Sequence, residues 1–330
     1  MSHTPVMLHE MLETLAPQDG DDIADGTFGG GGYTRAILDM ANCRVMGIDR
    51  DMDALARAEK LQRGDERFVP VLGRFGDVDA LALNNGFAGL DGFVLDLGVS
   101  SFQIDEAERG FSFMRDGPLD MRMGQTGASA ADVVNHLGEA DLATLIFRLG
   151  EDRQSRRIAK GIVNQRGRKP FRTTLDLANC VEAALGGRRG AKTHPATRTF
   201  QAIRMYVNDE LGELARALFG AENILRAGGR LVVVTFHSLE DRLVKQFLRE
   251  RSGKTGGASR HLPGLSPGKT PTFELTYRKA LAPQPEEVAT NPRSRSARLR
   301  VAERTAAEPW QDPVETGLDL PPLSALEALS

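Results

Sequence analysis

The sequence predicts an α/β fold in which an all-helical domain is inserted into a mostly parallel sheet. Within the first hundred residues, short apolar runs alternate with segments of helical periodicity, which is the pattern of βα units on a parallel sheet. The strand pattern disappears between residues 111 and 207 and resumes at residue 230. A length of 330 residues also favours two domains, because it exceeds what one ordinary hydrophobic core fills. The expected arrangement is therefore Rossmann-like, with a separate helical block.

The predicted strands are short apolar runs bounded by turn residues. Four of them precede the insertion, at residues 22–25, 44–49, 68–72 and 92–97, and helices separate them at residues 33–40, 52–61 and 77–83. Three more strands follow the insertion, at residues 230–236, 273–278 and 297–303, and a helix after the first of them ends near residue 250. These elements predict a cofactor-binding domain at residues 1–110 and 208–308, a helical domain at 111–207, and a flexible tail at 309–330.

Capping boxes mark helix starts in the insertion. Ser129 and Thr173 are each followed three residues later by an aspartate, the spacing at which the two side chains satisfy free N–H groups of a first turn. A third helix is predicted to begin at Pro195 and to continue to Leu214, because apolar residues recur at helical spacing throughout. After the insertion, Ser238 is expected to cap the helix that follows the strand at 230–236.

Positive charge is concentrated in two segments. The whole chain has 42 Lys and Arg against 45 Asp and Glu, a formal net charge of −3. Residues 148–206 nevertheless contain 14 Lys and Arg against 4 Asp and Glu, and residues 242–304 contain 14 against 5. Segments this basic can neutralise several phosphates whatever the net charge, so a nucleic-acid partner is predicted. Two solvated helical faces are the alternative. The stretch at 253–268, rich in Gly, Ser and Pro, is expected to be a mobile basic loop.

Cysteine usage and hydropathy exclude several classes of protein. Cys43 and Cys180 have no pairing motif, so neither a disulfide framework nor a cysteine-rich zinc site is expected, and no metal site is predicted. The longest apolar run, residues 231–236, is far shorter than the roughly 20 residues that a bilayer requires. The first 15 residues carry charges in place of a signal-peptide core. We therefore expect a cytoplasmic protein that does not contact membranes.

A glycine-rich motif predicts a nucleotide site. The sequence DGTFGGGGY at residues 25–33 follows the first strand and opens a helix, where glycines let a ligand approach the backbone and the helix N-terminus presents free N–H groups. Asp49 ends the second strand, where an acidic side chain typically accepts hydrogen bonds from ribose hydroxyls. A dinucleotide site requires a third glycine where this chain has Arg35 and Ala36, so S-adenosylmethionine is favoured over NAD. A tight structural turn, with Asp49 as a surface acid, is the alternative.

The fourth strand predicts further residues of the same crevice. The sequence DLGVSSFQ at residues 96–103 leaves this strand at the carboxyl edge of the sheet, where ligands bind in open α/β folds. Asp96 and Gln103 are therefore expected to face the crevice that Asp49 borders. Phe75, after the third strand, is expected to cover the adenine face, with a core position as the alternative.

Longer motifs carry a family resemblance. They are HTPVML at 3–8, DGTFG at 25–29, DLGVSS at 96–101, GFSFM at 110–114, FQAIR at 200–204, FHSLEDR at 236–242 and NPRSRSA at 291–297. In this order they resemble the ribosomal RNA small subunit methyltransferase H family, also called MraW, over residues 3–304. The resemblance implies a class I S-adenosylmethionine-dependent methyltransferase whose inserted domain reads RNA. It also implies methylation of N4 of a decoding-centre cytidine in 16S ribosomal RNA, within the small ribosomal subunit.

The resemblance also implies a set of cofactor-binding positions. The family's motifs place the cofactor against Gly31, Gly32, Tyr33, Asp49, Phe75, Asp96 and Gln103. The first three of these lie at its amino-acid end, and Asp49 lies on the ribose. The chain departs from the family at position 33, which is Tyr where His is usual, and at position 102, which is Phe where Pro is usual. The first departure is compatible with a contact made through the backbone.

The chemistry of methyl transfer selects candidate catalytic residues. In-line transfer from a sulfonium needs alignment and an acceptor for the amine's spare proton, whereas C5-methylation of cytosine needs a thiolate nucleophile. Cys43 precedes a strand and Cys180 lies within a helix, so both are expected to be small buried hydrophobes. Asp96, or the carbonyl of Leu97, is the first candidate to hold the amine. His237, at the end of strand 230–236, is expected to contact the base or accept a proton, with a structural hydrogen bond as the alternative.

Candidate RNA contacts lie at both ends of the insertion and near the C-terminus. Aromatic and basic residues open the insertion and are expected to hold a splayed base, with core anchoring as the alternative; they are Arg109, Phe111 and Phe113. Arg204 and Asn208, where the insertion returns, are expected to guide the RNA. Phosphate contacts are expected from Arg293, Arg295 and Arg298. Two rival functions remain open: a non-catalytic nucleotide-binding module that docks on ribosomes or partner proteins, and an NAD-dependent oxidoreductase.

Overall fold

The structure, a computed structural model, describes residues 5–124, 126–188, 190, 193–254, 269–322 and 326. The chain forms two compact units. Unit 1 comprises Met1–Gly98 and Leu211–Thr316, and unit 2 comprises Val99–Glu210 and Gly317–Ser330. The predicted basic loop at 253–268 lies, from residue 255 onward, outside the described residues.

Seven strands form one sheet in unit 1. They are β1 (Asp22–Asp25), β2 (Arg44–Asp49), β3 (Phe68–Leu72), β4 (Leu90–Asp96), β5 (Leu225–Thr235), β6 (Phe273–Leu275) and β7 (Arg298–Arg304). Their order across the sheet is β3-β2-β1-β4-β5-β7-β6. The pairs among β1 to β5 are parallel, whereas β7 is antiparallel to both β5 and β6. We call the edge at which β1 to β5 end the carboxyl edge.

The mostly parallel α/β sheet predicted from the sequence is confirmed. β1, β2 and β3 have the predicted bounds, because each is a short apolar run between turn residues. β5 begins at Leu225, five residues earlier than predicted, and its register with β4 already starts at the pair of Leu90 and Leu225. The glycines at positions 228 and 229 interrupt the apolar pattern and hide this extension. β6 ends at Leu275 and is shorter than predicted.

Thirteen α-helices have their bounds within the described residues. They are α1 (Leu8–Leu15), α2 (Gly32–Met40), α3 (Met52–Gln62), α4 (Val78–Asn84), α5 (Ser101–Asp105), α6 (Ala130–His136), α7 (Glu139–Gly150), α8 (Ser155–Arg166), α9 (Thr174–Leu185), α10 (Thr197–Val207), α11 (Glu210–Ile224), α12 (Ser238–Arg251) and α13 (Pro285–Thr290). α5 to α10 belong to unit 2, and between residues 111 and 207 the described chain has no strand, only a single bridge that pairs Pro118 with Thr173.

Two of the three predicted capping boxes are present. Ser129 caps α6 and Thr173 caps α9, each in a reciprocal box with the aspartate three residues later. The third prediction was wrong by one residue, because α12 begins at Ser238 and its cap is His237. Nδ1 of His237 accepts the Glu240 N–H, so the box forms one residue earlier than the predicted pairing of Ser238 with Asp241.

The helix predicted between Pro195 and Leu214 is two helices. α10 ends at Val207 and α11 begins at Glu210, and between them Asp209 adopts a left-handed backbone with φ of +49°. A left-handed residue cannot continue an α-helix, although aspartate tolerates this conformation better than most residues. The apolar spacing continues in phase across the break, so periodicity alone predicted one helix.

The core of unit 1 holds the carboxyl edge in place. All four residues of β1 are buried, as are five of the seven residues of β4. Continuous burial of this kind shows that the centre of the sheet is covered on both faces, as parallel sheets require. Polar residues at the ends of these strands are therefore fixed by a rigid scaffold.

The C-terminal segment has contacts that its sequence does not predict. In unit 1, the main-chain N–H of Trp310 donates to Glu222 Oε1 at 3.2 Å, and the Arg251 guanidinium donates to the Asp312 carbonyl at 2.8 Å. In unit 2, the Tyr206 hydroxyl donates to the Pro321 carbonyl at 3.0 Å. Segment 309–330, expected to be a flexible tail, thus makes specific hydrogen bonds where it is described. Each helix among the described residues is too short or too polar to span a bilayer.

Candidate active site

Four neighbouring parallel strands bring polar residues to the carboxyl edge of unit 1. Asp49 ends β2, Asp25 ends β1 and Asp96 ends β4. His237 follows the end of β5 by two residues. Because these strands are adjacent in the order β2-β1-β4-β5, the four residues follow one another along the edge. In open α/β sheets this edge borders the ligand crevice.

Asp25 ties the end of β1 to the first turn of α2. Its Oδ1 accepts the main-chain N–H of Thr27 at 3.1 Å, and its Oδ2 accepts the Thr34 hydroxyl at 2.7 Å. Burial, and to a smaller extent the charge of Asp49, raises the pKa of Asp25 to about 6 against the effect of these hydrogen bonds. No role was predicted for Asp25 itself, although it lies in the glycine-rich motif.

Asp49 has both carboxylate oxygens oriented by the main chain. Oδ2 accepts the Gly29 N–H at 2.8 Å, and Oδ1 accepts the Asp51 N–H at 2.9 Å. Burial is the largest cause of its raised pKa, and these two bonds oppose it. Each oxygen retains a second lone pair, so the carboxylate can accept from two neighbouring hydroxyls of a ribose. The geometry therefore fits the role predicted for Asp49.

Asp96 has a buried carboxylate oxygen with no partner in the described chain. Oδ1 is buried and makes no hydrogen bond, whereas the Asp96 main-chain N–H donates to the Thr27 hydroxyl at 2.7 Å. Burial raises the pKa of Asp96 well above its usual range, and three nearby carboxylates, Asp25, Glu240 and Glu287, raise it further. A buried unsatisfied oxygen costs roughly 1–3 kcal/mol, so such an atom indicates a ligand group that would satisfy it.

The glycines that open α2 have a packing role. Gly31 is the N-cap of α2 with φ of +73°, a left-handed conformation that favours glycine. A Cβ on Gly32 would lie 2.2 Å from Cγ of Pro5, and one on Gly31 would lie 2.7 Å from the Phe28 ring. The chain's own side chains therefore use the space that the sequence analysis assigned to a ligand. The Gly31 N–H donates to the Phe28 carbonyl at 2.6 Å, so a contact of this group with a cofactor requires that bond to open. The cofactor contacts of Gly31 and Gly32 stay predictions.

Tyr33 and Phe75 differ in exposure. Tyr33 is 4% exposed and its hydroxyl donates to the Val6 carbonyl, so its side chain belongs to the core and any cofactor contact would be through the backbone. Phe75 begins a 3₁₀ turn and is partly exposed. Its Cβ lies 3.1 Å from the position that a Cβ on Gly26 would take. Phe75 is thus beside the glycine-rich turn, where its predicted adenine contact requires it to be.

His237 is held as a helix cap. Its Nδ1 accepts the Glu240 N–H at 3.4 Å, while Glu240 Oε2 accepts the N–H groups of Phe236 at 2.9 Å and of His237 at 3.2 Å. Because Nδ1 is an acceptor, the neutral ring carries its proton on Nε2. Nε2 lies 2.9 Å from Glu240 Oε1, but at an angle that makes no hydrogen bond. His237 therefore makes the structural hydrogen bond that was the alternative to a catalytic role. Glu240 is a buried carboxylate for which the sequence predicted no role in the site.

In unit 2, Gln103 closes the first turn of α5. Its Oε1 accepts the Ser100 N–H at 3.0 Å, and its own N–H donates to the Ser100 hydroxyl at 3.2 Å. The side chain is 6% exposed. Gln103 therefore has a capping role in this structure, and its cofactor contact stays a prediction.

Arg204 and Asn208 hold the chain within unit 2. Asn208 is 1% exposed; its Oδ1 accepts the Met123 N–H at 2.8 Å, and its Nδ2 donates to the Met121 carbonyl at 2.7 Å. Arg204 makes a bidentate pair with Glu210 at 2.7 and 2.8 Å. The role of guiding RNA needs correction for Asn208, because a side chain this buried presents no polar group to a partner. Arg204 can contact RNA only after its ion pair with Glu210 has opened.

The aromatic residues that open the insertion divide between the two predicted alternatives. The Phe113 ring packs 4.7 Å from the rings of both His194 and Phe200, which makes it an anchor. Arg109 donates to two main-chain carbonyls at 3.0 and 3.1 Å, and its Cζ lies 5.9 Å from the Phe111 ring centroid. Phe111 is partly exposed, so base stacking stays a prediction for this residue.

Three exposed arginines lie at the carboxyl edge of unit 1. Arg298 begins β7 and pairs with Thr235, the last residue of β5, because β7 is antiparallel and starts where β5 ends. Arg293 and Arg295 precede it in the 3₁₀ turn Pro292–Ser296. All three side chains are exposed. Their predicted phosphate contacts would therefore occur at the edge that carries the carboxylates.

Neither cysteine is placed for nucleophilic attack. Cys43 and Cys180 are both buried, and burial raises the pKa of each thiol to about 11. A thiol with that pKa is almost entirely protonated at neutral pH and is a poor nucleophile. The prediction that both are small buried hydrophobes is confirmed.

The charge of the site distinguishes between the two cofactors considered. Asp25, Asp49 and Asp96 all have a raised pKa, and repulsion from neighbouring carboxylates contributes in each case. A cationic ligand relieves this repulsion, whereas a pyrophosphate adds to it. S-adenosylmethionine carries a sulfonium and an ammonium group, and NAD carries a pyrophosphate. Together with the orphaned oxygen of Asp96, the residues present fit S-adenosylmethionine.

A seven-stranded sheet of this order, with β7 inserted antiparallel beside β5 and a nucleoside-type site at the carboxyl edge, defines a class I methyltransferase. The chain belongs to the MraW methylase family, whose model matches residues 1–305. This confirms the resemblance found in the sequence. A methylase also uses a methyl donor and not a hydride carrier, which agrees with S-adenosylmethionine as the cofactor and removes the oxidoreductase alternative.

Named relatives cover nearly the whole chain. The ribosomal RNA small subunit methyltransferase H of Hyphomonas neptunium is 65% identical over 325 residues, 98% of this chain and 95% of that protein. The protein of the same name from Caulobacter vibrioides is 54% identical over 310 residues, 94% of this chain and 97% of that protein. Among solved structures, an rRNA methylase from Streptococcus thermophilus aligns with 92% of this chain and 99% of its own, at 12% identity and a TM-score of 0.41.

Proposed function

We propose that this protein transfers a methyl group from S-adenosylmethionine to the exocyclic N4 of a decoding-centre cytidine in 16S ribosomal RNA, within the small ribosomal subunit in the cytoplasm. The names of the two relatives support small-subunit ribosomal RNA as the substrate class. The site supports an amine acceptor, because direct transfer needs a proton acceptor and no covalent intermediate. Both cysteines are buried, with pKa values near 11, which disfavours the thiolate route to C5.

The observation that carries the proposal is the buried oxygen of Asp96. Oδ1 has no partner in the described chain and lies at the end of a central strand, where it can accept an N–H of the cytosine amine. Its raised pKa makes the carboxylate a better proton acceptor than an ordinary aspartate. We assign Asp96 to hold the amine and take its proton. Since Nδ1 of His237 already accepts a main-chain N–H, we assign His237 to position this edge.

The remaining residues of the edge hold the cofactor, which supplies an electrophilic methyl group when bound. Asp49 accepts from the ribose hydroxyls, with its orientation fixed by Gly29 and Asp51. Phe75 covers the adenine. The first turn of α2 offers its N–H groups to the carboxylate of the amino-acid end, since helix N-termini favour anions. Asp25 contributes negative charge that favours the cationic part.

The acceptor base has to leave its stack to reach this edge. Extrusion of a base costs a few kcal/mol, which phosphate contacts on either side can offset. Arg293, Arg295 and Arg298 are exposed at the same edge and can make such contacts. Phe111, partly exposed in unit 2, is the remaining candidate for stacking.

The proposal is tested by transfer from labelled S-adenosylmethionine to small ribosomal subunits and to naked 16S RNA, both lacking the modification, followed by nucleoside mass spectrometry. Labelled N4-methylcytidine is the expected product. A label at C5 or on a ribose would contradict the proposed acceptor. Cofactor binding without transfer to either substrate would favour the non-catalytic nucleotide-binding module.

A substitution at Asp96 tests its assigned role. Asp96→Asn retains the shape but cannot take a proton, so kcat should fall by about 10²- to 10⁴-fold while the KM for RNA changes little. The matched control is Asp39→Asn, the same chemical change on an exposed side chain of α2. A kcat within threefold of the wild type for Asp96→Asn would remove Asp96 from the mechanism.

A further inference from the structure

A basic pocket on unit 1 lies outside the site described above. It has a volume of about 760 Å³ and is formed by the solvent-facing side of α12 together with residues near the C-terminus. Its lining residues are Arg242, Lys245, Gln246, Arg249, Glu250, Lys269, Trp310 and Asp312. Its basic residues lie in the segment 242–304, for which the charge pattern predicts a nucleic-acid partner, but none of the eight was individually predicted to bind cofactor or RNA.

Three basic side chains of α12 form a row along the pocket. Arg242, Lys245 and Arg249 are separated by three and four residues, so they lie on one face of the helix, and all three are exposed. The row is about 10 Å long at 1.5 Å rise per residue. Because α12 begins at the carboxyl edge, the row starts about one turn from His237 and leads away from the active site.

The acidic residues of the pocket do not neutralise this row. Asp312 pairs with Lys269, and Glu250 lies 3.4 Å from the guanidinium of Arg251. Within the described residues, Lys245 and Arg249 have no carboxylate within ion-pair distance. Lys245 and Arg249 therefore carry uncompensated positive charge, and phosphate groups are the anions that two such neighbouring cations attract most effectively.

A tryptophan completes the pocket. Trp310 Nε1 donates to the Thr270 carbonyl at 2.9 Å, and the Arg251 guanidinium lies 4.4 Å from the ring centroid, so the indole is fixed in place. Lys269 lies 4.9 Å from the same centroid. Basic grooves with a fixed aromatic ring are the common form of single-stranded nucleic-acid sites. Trp310 is also the one tryptophan of the chain, so its fluorescence reports on this pocket alone.

We propose that this pocket and the basic row of α12 bind the phosphate backbone of the RNA substrate at nucleotides that flank the modified one. The inference rests on the proposed function, since RNA is the partner that the proposed activity brings to the carboxyl edge. Lys245 and Arg249, spaced as neighbours on a helix face, contact successive phosphates. The strand continues from the active site along α12 to Trp310.

The experiment combines tryptophan fluorescence with a salt titration. An unmethylated 16S RNA fragment that contains the target nucleotide is titrated into wild-type protein, the Lys245→Gln/Arg249→Gln variant and the control Lys60→Gln/Arg63→Gln. The control residues are exposed and basic and lie at the end of α3. Loss of two phosphate contacts lowers the slope of log K against log salt by about 1.4 to 1.8, which at 0.1 M salt is about a 25- to 60-fold loss of affinity.

The outcomes separate this inference from the proposed function. We expect the RNA to change Trp310 fluorescence, the α12 variant to show the reduced slope, and the α3 control and S-adenosylmethionine affinity to be unchanged. An unchanged slope, or equal losses in both variants, would overturn the inference. A fluorescence response to polyglutamate of equal charge, but not to RNA, would assign the pocket to an acidic protein. If the wild-type protein still methylates 16S RNA when either contrary result is found, the proposed function stands and only the RNA contact of this pocket is refuted.

Discussion

Asp25→Asn removes a buried charge without removing its hydrogen bonds. In the wild type, Asp25 is 1% exposed and accepts from Thr27 and Thr34. Asparagine can keep both contacts, with its oxygen toward the Thr27 N–H and its NH₂ group toward the Thr34 hydroxyl, which can turn to accept. The change therefore isolates the energetic effect of the carboxylate.

The magnitude follows from the pKa of Asp25, which burial raises from 3.8 to about 6. The folded state holds the proton more tightly than the unfolded state, so this contribution to stability is complete below pH 3.8 and is lost as the pH rises through 6. At 1.36 kcal/mol per pKa unit the full loss is about 3 kcal/mol, of which about 2 kcal/mol falls between pH 4.5 and 7.5. Asp25→Asn escapes this loss. The substitution also removes the repulsion between Asp25 and its neighbours Asp49 and Asp96, which stabilises the variant further.

The assay is urea unfolding of the full chain at pH 4.5, 6.0 and 7.5, followed by tryptophan fluorescence. Trp310 belongs to unit 1, as Asp25 does, so the signal reports the unfolding of the correct unit. We expect the free energy of unfolding of the variant, relative to the wild type, to increase by about 2 kcal/mol from pH 4.5 to 7.5. The exposed Asp39→Asn control should show no such trend. A difference that stays constant within about 0.5 kcal/mol would refute the assignment of a buried, high-pKa carboxylate.

The other predictions concern binding and the pH profile. Asp49→Ala should raise the Kd for S-adenosylmethionine by about 10²-fold, as two charge-assisted hydrogen bonds are lost, and equal losses of cofactor and RNA affinity in calorimetry would contradict the ribose assignment. S-adenosylmethionine affinity should fall as the pH drops below about 6, because the carboxylate of Asp25 becomes neutral; a flat profile from pH 7.5 to 5 would argue against cation stabilisation. Glu240→Gln should shift the acidic limb of the activity profile to lower pH, since the charge of Glu240 raises the pKa of Asp96; a lower kcat with no shift would leave Glu240 only its capping role. Replacing the three arginines of the carboxyl edge by alanine should lower the slope of log K against log salt for RNA binding by about 2; these are Arg293, Arg295 and Arg298. An unchanged slope would show that they do not contact phosphates.

The parts of the site that the sequence predicted are those fixed by strand ends. Asp49 and Asp96 follow buried apolar runs, and the carboxyl ends of parallel strands meet at one edge, so their placement needed no tertiary information. The burial of the two cysteines was also predicted from local pattern, because Cys43 directly precedes a strand and Cys180 lies within a helix. Local patterns of period two and 3.6 are sufficient for conclusions of this kind.

The parts that the sequence did not predict depend on contacts between distant residues. Thr27 accepts the N–H of Asp96, 69 positions away, and Pro5 fills the space beside Gly32. Neither contact leaves a periodic signal. The break at Asp209 was missed because the apolar spacing continues in phase on both sides of it. Asn208 is polar at a surface-like position in the sequence, yet its buried side chain clamps a loop that is 85 residues away.

The carboxyl edge of unit 1 contains charged groups that lower the stability of the fold. Asp25, Asp49 and Asp96 are held at the ends of adjacent strands, where burial and, to a smaller extent, repulsion from neighbouring carboxylates raise the pKa of each. Stability alone would favour neutral residues at all three positions, and Asp25→Asn is expected to be more stable at neutral pH for that reason. A cationic sulfonium ligand reverses the balance, since it is attracted by the charges that destabilise the free protein. If Asp25→Asn both stabilises the protein and weakens S-adenosylmethionine binding, the negative charge of Asp25 is the common cause of both effects. If only one of the two changes is observed, stability and cofactor binding do not share this cause.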